Sequence, residues 1–200
     1  FPLFDGSIPG TPLDDELQRF LDQGSRPLVF TQGSTEHLQG DFYAMALRAL
    51  ERLGARGIFL TGAGQEPLRG LPNHVLQRAY APLGALLPSC AGLVHPGGIG
   101  AMSLALAAGV PQVLLPCAHD QFDNAERLVR LGCGMRLGVP LREQELRGAL
   151  WRLLEDPAMA AACRRFMELS QPHSIACGKA AQVVERCHRE GDARWLKAAS

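Results

Sequence analysis

Two kinds of apolar pattern alternate along the chain. Short continuous apolar runs, bounded by glycine, proline or small polar residues, occupy residues 27–32, 57–61, 92–94 and 112–115, with weaker runs at 74–79 and 134–137. Runs of this length are typical of buried strands. Between and after them, apolar residues recur every three or four positions, which is the spacing of an amphipathic helix. The pattern therefore predicts six strands separated by helices and loops.

Strands that alternate with helices favour an α/β fold with a doubly wound, parallel, six-stranded sheet of the Rossmann type. The predicted helices cover residues 13–23, 41–53, 82–87, 98–108, 120–131, 141–154, 158–169 and 174–190. Since crossovers between parallel strands are right-handed, the simplest strand order is 3-2-1-4-5-6. Strands 1 and 4 are then neighbours at the switch point of the topology, where ligands bind. We therefore expect the turns after these two strands, residues 33–35 and 95–101, to meet at one crevice.

The two ends of the chain differ from its middle. Residues 1–12 contain three prolines and two glycines, which predicts an extended linker. Residues 13–190 are predicted to form one domain, and residues 191–200 a tail that is ordered only if it docks on something. The chain begins with Phe1 and not with Met, so we expect a fragment of a longer protein, and its first residues show no signal-peptide pattern.

Composition narrows the classes of partner. The chain has 200 residues, of which 46% are hydrophobic and 20% charged, and its formal net charge is zero. That balance argues against a basic surface for nucleic acid, so no nucleic-acid partner is expected. The six cysteines lack Cys-x-x-Cys spacing and the six histidines lack an i, i+4 pair, so we predict reduced thiols and no metal site. Prolines and glycines interrupt every long apolar stretch, so no membrane-spanning helix is predicted.

Residues 94–101 suggest a site for an anion. The apolar run at residues 91–94 is followed by His95, three glycines follow within five residues, and an Ala- and Leu-rich helix begins. The N-terminus of such a helix presents unpaired N–H groups and a partial positive charge, and glycine lets an anion approach the backbone. The histidine can add a donor or a full positive charge. A tight strand-to-helix turn without a ligand is the alternative, because the geometry needs glycines anyway.

Residues 78–125 resemble the donor-binding signature of family 1 glycosyltransferases with the GT-B fold. The matching stretch is Tyr80-Ala-Pro-Leu, His95-Pro-Gly-Gly-Ile-Gly-Ala, Ala-Gly-Val-Pro-Gln and Asp120-Gln, followed by Asn124-Ala. The resemblance implies that the chain is the C-terminal, nucleotide-sugar half of such an enzyme. It further implies an inverting, metal-independent transferase whose only nucleotide is its substrate, with no cofactor.

The resemblance assigns roles on the base side of the crevice. Tyr80 matches the aromatic position that stacks on the nucleobase, for which any π face serves. Ala81 matches the position whose backbone groups bond the base edge, while Leu83 departs from the usual glutamine. A tyrosine that merely packs at a strand end is the alternative for Tyr80.

The resemblance also assigns the phosphate contacts. His95 matches the histidine on the diphosphate, where it would stabilise the leaving group. The resemblance also implies that a turn supplies backbone N–H groups to the phosphates. That turn comprises Gly97, Gly98, Ile99, Gly100 and Ala101. Many relatives have Ser or Thr in place of Ala101, so one hydroxyl contact is missing. The first-strand loop, which reaches the phosphates or sugar from the other side, is matched by Gly33, Ser34 and Thr35.

The sugar side is matched by Asp120 and Gln121, which correspond to a pair that hydrogen-bonds the sugar hydroxyls. A helix N-cap is the alternative for Asp120, and both roles are compatible. Asn124 lies one helical turn further on, so it is expected to face the same crevice.

Leu104 bears on the nucleotide. Relatives that use UDP-sugars often carry a glutamate there, which holds the ribose hydroxyls, and leucine would leave a buried 2′-hydroxyl unpaired. This favours a dTDP-sugar, although Leu104 can equally be a helix-core residue.

Within the family, the resemblance is greatest to the rhamnosyltransferases of rhamnolipid synthesis. These imply dTDP-L-rhamnose as donor, a hydroxyalkanoyloxyalkanoate lipid as acceptor, and a cytoplasmic enzyme that can associate peripherally with the inner membrane. In the resembled family the general base belongs to the N-terminal domain, so we predict that this chain binds nucleotide without transferring sugar. Two alternatives stay open, namely another GT-B enzyme (a UDP-sugar transferase or an epimerase) and a non-enzymatic nucleotide-binding module.

Overall fold

The structure is a computed structural model that describes residues 12–33, 42–63, 66–138, 140–169 and 173–190. The tail predicted at residues 191–200, and the linker predicted at residues 1–12 except for Pro12, lie outside these ranges. Ser34 and Thr35, which were assigned to the first-strand loop, lie outside them as well.

Six parallel strands form one sheet in the order β3-β2-β1-β4-β5-β6. The strands are β1 (Leu28–Thr31), β2 (Gly57–Leu60), β3 (Val75–Arg78), β4 (Gly92–His95), β5 (Gln112–Leu114) and β6 (Gly134–Arg136). The predicted fold class and strand order are confirmed, and each strand lies within its predicted run except β4, which extends one residue further, to His95. The added residue matters because it makes His95 part of the sheet.

The helices are α1 (Asp15–Leu21), α2 (Phe42–Leu53), α3 (Leu83–Leu86), α4 (Ile99–Ala107), α5 (Gln121–Arg130), α6 (Glu143–Glu155), α7 (Pro157–Leu169) and α8 (His173–Glu190). A 3₁₀ turn, Leu87–Ser89, extends α3. Before α7, Asp156 Oδ1 accepts hydrogen bonds from the backbone N–H groups of Ala158 and Met159, at 3.0 and 3.2 Å. Asp156 therefore caps the N-terminus of α7.

Both faces of the sheet are covered, as parallel sheets require. Successive residues of β1 point to opposite sides, so Leu28 and Phe30 join one core cluster while Val29 joins the other. Helices α2 and α6 pack against each other on the first side. On the second side, α1 contributes Leu17 and α3 contributes Leu86. Apolar side chains therefore pack on both faces of β1, and ligands of such sheets bind at the carboxyl edge.

None of the helices in the described ranges combines the length and the apolar character that a membrane span requires.

Candidate functional site

The turn between β4 and α4 places a helix N-terminus at the carboxyl edge of the sheet. Gly98 is the N-cap, with extended backbone (φ −61°, ψ 138°), and the Met102 N–H donates to its carbonyl at 3.1 Å. The N–H groups from Gly98 to Ala101 thus precede the first intrahelical donor, which is that of Met102. They lie at the positive end of the helix dipole, and Ile99 and Gly100 are exposed. This is the geometry of an anion site.

The glycines of this turn serve different purposes. Gly97 has a φ of 103°, and a Cβ on it would lie 3.1 Å from the Leu114 side chain and 3.3 Å from the Gln121 carbonyl oxygen. Only glycine fits there. A Cβ on Gly98 or Gly100 would meet nothing within 4 Å. Packing therefore does not require those two glycines, and they leave the space over the helix end open.

His95 is fully buried at the end of β4. Its Nε2 lies 2.9 Å from Gln112 Oε1, and the Gly97 N–H donates to its Nδ1 at 3.2 Å. Since Nδ1 accepts, the proton is on Nε2, which donates to the Gln112 oxygen. Burial disfavours the charged form and lowers the pKa of His95 to about 4. The ring is therefore neutral at physiological pH.

The environment of His95 differs from what the sequence suggested. In this structure the imidazole presents neither a free donor nor a positive charge to the crevice, because both nitrogens are used inside the protein. Its predicted contact with the diphosphate stays a prediction. The geometry instead makes His95 the group that holds Gly97.

Asn124 forms hydrogen bonds both to this turn and to Asp120, one of the residues assigned to the sugar. Its side-chain amide, 5% exposed, donates to the Gly97 carbonyl at 2.9 Å and to Asp120 Oδ2 at 2.8 Å. Asp120 occupies the N-cap position of α5 but has helical backbone angles and makes no capping hydrogen bond. The exposed carboxylate is thus oriented by Asn124, beside the end of α4.

Gln121 is buried, and its side-chain oxygen accepts hydrogen bonds from the N–H groups of Cys117 and Ala118, at 2.9 and 3.1 Å. Its amide nitrogen makes no hydrogen bond within the described part of the chain. The loop is folded tightly here, since the neighbouring His119 has a φ of 55°, which is uncommon outside glycine. A donor at this position suits a sugar hydroxyl.

The turns after β1 and β4 meet, as the strand order requires. A Cβ on Gly33 would lie 3.9 Å from Pro96 Cδ, so the first-strand turn contacts the second one directly. The two strands are paired in parallel from Leu28 onward. The two turns therefore lie side by side up to Gly33, and the crevice between them stays a prediction.

The residues assigned to the nucleobase differ in how far they are buried. The Tyr80 side chain is 74% exposed, whereas the adjacent Ala81 is 3% exposed and belongs to the second core cluster. Leu83, at the start of α3, and Leu104, on α4, both pack against that cluster. Leu104 thus has the contacts of a helix-core residue. Tyr80, by contrast, is not packed into the core.

Sequence reasoning assigned no role to Gln112 or His119. Gln112 is a polar residue inside a strand that is otherwise apolar and fully buried, which is the signal that could have drawn attention to it. For His119 the sequence gives no comparable signal, because a positive φ at a non-glycine residue depends on the loop as a whole.

All six cysteines are free thiols. Within the described ranges, no three His, Cys, Asp or Glu side chains are grouped as metal ligands would be.

Comparison with known proteins identifies the family. Residues 46–188 match the model of the erythromycin biosynthesis protein CIII-like, C-terminal domain. The chain is 38% identical over 165 residues to O-mycaminosyltylonolide 6-deoxyallosyltransferase of Streptomyces fradiae, covering 80% of this chain and 38% of that protein. It is 39% identical over 126 residues to aklavinone 7-beta-L-rhodosaminyltransferase of Streptomyces galilaeus, covering 61% and 28%.

The fold agrees with these relatives. Glycosyltransferase VinC, whose structure was solved in complex with dTDP, is 31% identical and superimposes with a TM-score of 0.69, over 87% of this chain and 45% of that one. The chain spans less than two fifths of the two curated relatives above. It belongs to the family of erythromycin biosynthesis protein CIII-like C-terminal domains, the donor-binding halves of GT-B glycosyltransferases.

Proposed function

We propose that the crevice between β1 and β4 binds the nucleotide-sugar donor of a glycosyltransferase, and that this donor is a dTDP-activated 6-deoxyhexose, with dTDP-L-rhamnose as the first candidate. The observation that carries the proposal is the open N-terminus of α4, which presents backbone N–H groups beside two glycines that packing does not require. A diphosphate is the anion that this length of exposed backbone suits.

The flanks of the turn support a dTDP donor. The exposed Tyr80 ring offers an unoccupied face on which thymine can stack. Leu104 carries no acceptor for a ribose 2′-hydroxyl, which deoxyribose lacks. Support also comes from the relatives, since one is named a 6-deoxyallosyltransferase and VinC was solved with dTDP.

In the transition state of sugar transfer, negative charge moves from the anomeric centre onto the β-phosphate. The N–H groups from Gly98 to Ala101 would stabilise that charge, and no reorganisation is needed because the turn is already held. Losing one such donor typically lowers the rate by ~10²–10³-fold. His95 then stabilises the leaving group indirectly, by holding the turn.

The acceptor and the general base are proposed to lie outside the described residues. The proposed acceptor is a hydroxyalkanoyloxyalkanoate lipid, as in rhamnolipid synthesis, and the proposed location is the cytoplasmic side of the inner membrane. The partial overlap with the two curated relatives supports a division of labour between two domains, since this chain covers only 28% and 38% of their lengths.

A ligand panel tests the donor. We expect dTDP to raise the Tm of this chain more than UDP, GDP or NAD at equal concentration, by mass action on the folded state. Saturation at a hundredfold excess over Kd corresponds to about 2.7 kcal/mol. A response to NAD alone would overturn the proposal, and a larger response to UDP would redirect it to a UDP-sugar enzyme.

An activity assay tests the division of labour. This chain, mixed with dTDP-L-rhamnose and the hydroxyalkanoyloxyalkanoate, is expected to bind the donor and form no glycoside. Measurable transfer by this chain alone would show that the general base lies within it.

A further inference from the structure

Gln112 is a fully buried amide on β5, in the interior of the sheet. Burying an amide without hydrogen bonds costs free energy, so its partners indicate what it does. Its Nε2 donates to the Met102 carbonyl at 3.4 Å, and its Oε1 lies 2.9 Å from His95 Nε2. The carbonyl of Met102 can only accept, so it fixes which end of the Gln112 amide faces the histidine.

An oxygen facing His95 Nε2 decides where the imidazole proton sits. With the proton on Nε2, the ring donates to Gln112 and leaves a lone pair on Nδ1 for the Gly97 N–H at 3.2 Å. In the other tautomer, Nδ1 would carry the proton. The Nδ1–H and the Gly97 N–H would then face each other at that distance, and neither donor would have an acceptor.

Gly97 is held from the other side as well, because Asn124 donates to its carbonyl oxygen at 2.9 Å. In a trans peptide the C=O and the next N–H point in opposite directions. A Gly97 carbonyl drawn towards Asn124 therefore directs the Gly98 N–H away from it. Gly98 is the N-cap of α4, so that N–H is the first donor of the helix end.

We propose that Gln112 is a positioning residue for the donor, which selects the His95 tautomer that holds Gly97 and so directs the Gly98 N–H at the diphosphate. The proposal rests on the proposed function for the identity of the anion. Its mechanical part, from Gln112 through His95 to Gly97, does not depend on any ligand.

The ligand-free chain provides the first test. With ¹⁵N-labelled histidine, the His95 resonances should show protonation on Nε2 only, and the Gly97 amide proton should show a hydrogen bond to Nδ1. Protonation on Nδ1 in the wild-type chain would overturn the inference, whether or not any nucleotide binds. This measurement needs no variant and so does not depend on a variant folding.

The second test is Gln112→Met, which keeps an unbranched side chain of similar length and removes the acceptor. We expect mixed His95 tautomers and a roughly tenfold weaker Kd for dTDP, the size of one lost hydrogen bond to a charged group. Val113→Ala is the matched control, because the neighbouring β5 residue is fully buried and lies outside this hydrogen-bond chain. It should lower the Tm and leave both the tautomer and the Kd of the folded protein unchanged.

The outcomes separate the two proposals. If the wild-type chain binds no dTDP but shows the Nε2 tautomer, which Gln112→Met disturbs, the proposed function fails and the mechanical part of this inference stands. If dTDP binds equally to the wild type and to Gln112→Met, the proposed function stands and the inference is wrong. A Kd weakened as much by Val113→Ala as by Gln112→Met would also contradict it.

Discussion

The proposed diphosphate side of the site and its proposed base side are built in opposite ways. On the diphosphate side, the buried side chains of His95 and Gln112 bond each other, while His95 and Asn124 each hold the Gly97 backbone. On the base side, the Tyr80 ring is mostly in solvent, beside a backbone that apolar packing holds. The backbone of the diphosphate side is thus fixed by hydrogen bonds without a ligand, whereas the base side presents an exposed aromatic ring. Substitutions should therefore affect both folding and affinity on the first side, and affinity alone on the second.

The largest effect is expected from Gly97→Ala. The substitution forces a side chain into a φ of 103°, with contacts of 3.1 and 3.3 Å to Leu114 and to the Gln121 backbone. The strain and the overpacking together should lower the free energy of unfolding by roughly 2–5 kcal/mol. Denaturant unfolding and calorimetry with dTDP would measure stability and affinity, and we expect both to fall.

Gly100→Ala is the matched control for the steric effect on stability in that experiment. A Cβ there meets nothing within 4 Å, and alanine is the better helix former by about 0.5–1 kcal/mol. The chain should become more stable while dTDP binds more weakly, because the methyl group occupies the space that the phosphate needs. An unchanged Kd would show that no phosphate comes close to Gly100.

The second effect is a pH dependence of stability. Burial lowers the pKa of His95 from 6.5 to about 4, so between these values the unfolded chain binds a proton that the folded chain does not. Stability from this group is complete above pH 6.5 and declines as the pH falls to 4, by about 3 kcal/mol in total. Urea unfolding from pH 7.5 to 4 would measure it. The variant His95→Gln, which cannot titrate, should show a shallower slope; an equal slope would mean that other groups account for the dependence.

The third effect tests the base side. Tyr80→Ala should leave stability within about 0.5 kcal/mol, since the side chain is 74% exposed. It should weaken dTDP binding by roughly 5- to 100-fold, the range measured for stacking of one base on an aromatic side chain. Tyr80→Phe should bind normally, because stacking needs only the ring. A loss of stability comparable to the loss of affinity would show that Tyr80 is structural and would remove the contrast between the two sides.

The smallest effect concerns nucleotide choice. Leu104→Glu adds an acceptor for a ribose hydroxyl, so the ratio of UDP to dTDP affinity should rise by roughly threefold to tenfold, about one hydrogen bond. Competition calorimetry with the two nucleotides would measure the ratio. If the ratio stays constant while stability drops, Leu104 is a core residue only, consistent with its packing against the second cluster.

The fold could be predicted from the sequence because its signals are local. Apolar runs and helical spacing located the strands and helices, and the handedness rule then left one simple strand order, which the structure confirms. The pairing of His95 with Gln112 was not predictable in this way. Leu93 is the register partner of Gln112, and His95 lies two residues further along β4, so the Gln112 side chain meets it diagonally across the pair. That contact depends on register and burial, which no short pattern encodes.

The sequence left open whether His95 is neutral or charged, for the same reason. A histidine after a strand and before glycines suggests a charged group near an anion, whereas its charge depends on desolvation by the surrounding protein. The family resemblance supplied the donor-binding role correctly. It does not fix the sugar, since the curated relatives named above carry 6-deoxyallose and rhodosamine in their names, and the assignment to rhamnose stays a proposal.

The hydrogen bonds that organise the diphosphate and sugar sides all close within the thirty-residue stretch from His95 to Asn124. The stretch is bordered by Val94 and Ala125, both fully buried and apolar. Such a stretch can be recombined as one unit, because a chimera that exchanges it between relatives cuts no bond of the network. We expect such an exchange to carry the contacts proposed for the diphosphate and the sugar, while Tyr80 and the sheet stay those of the recipient.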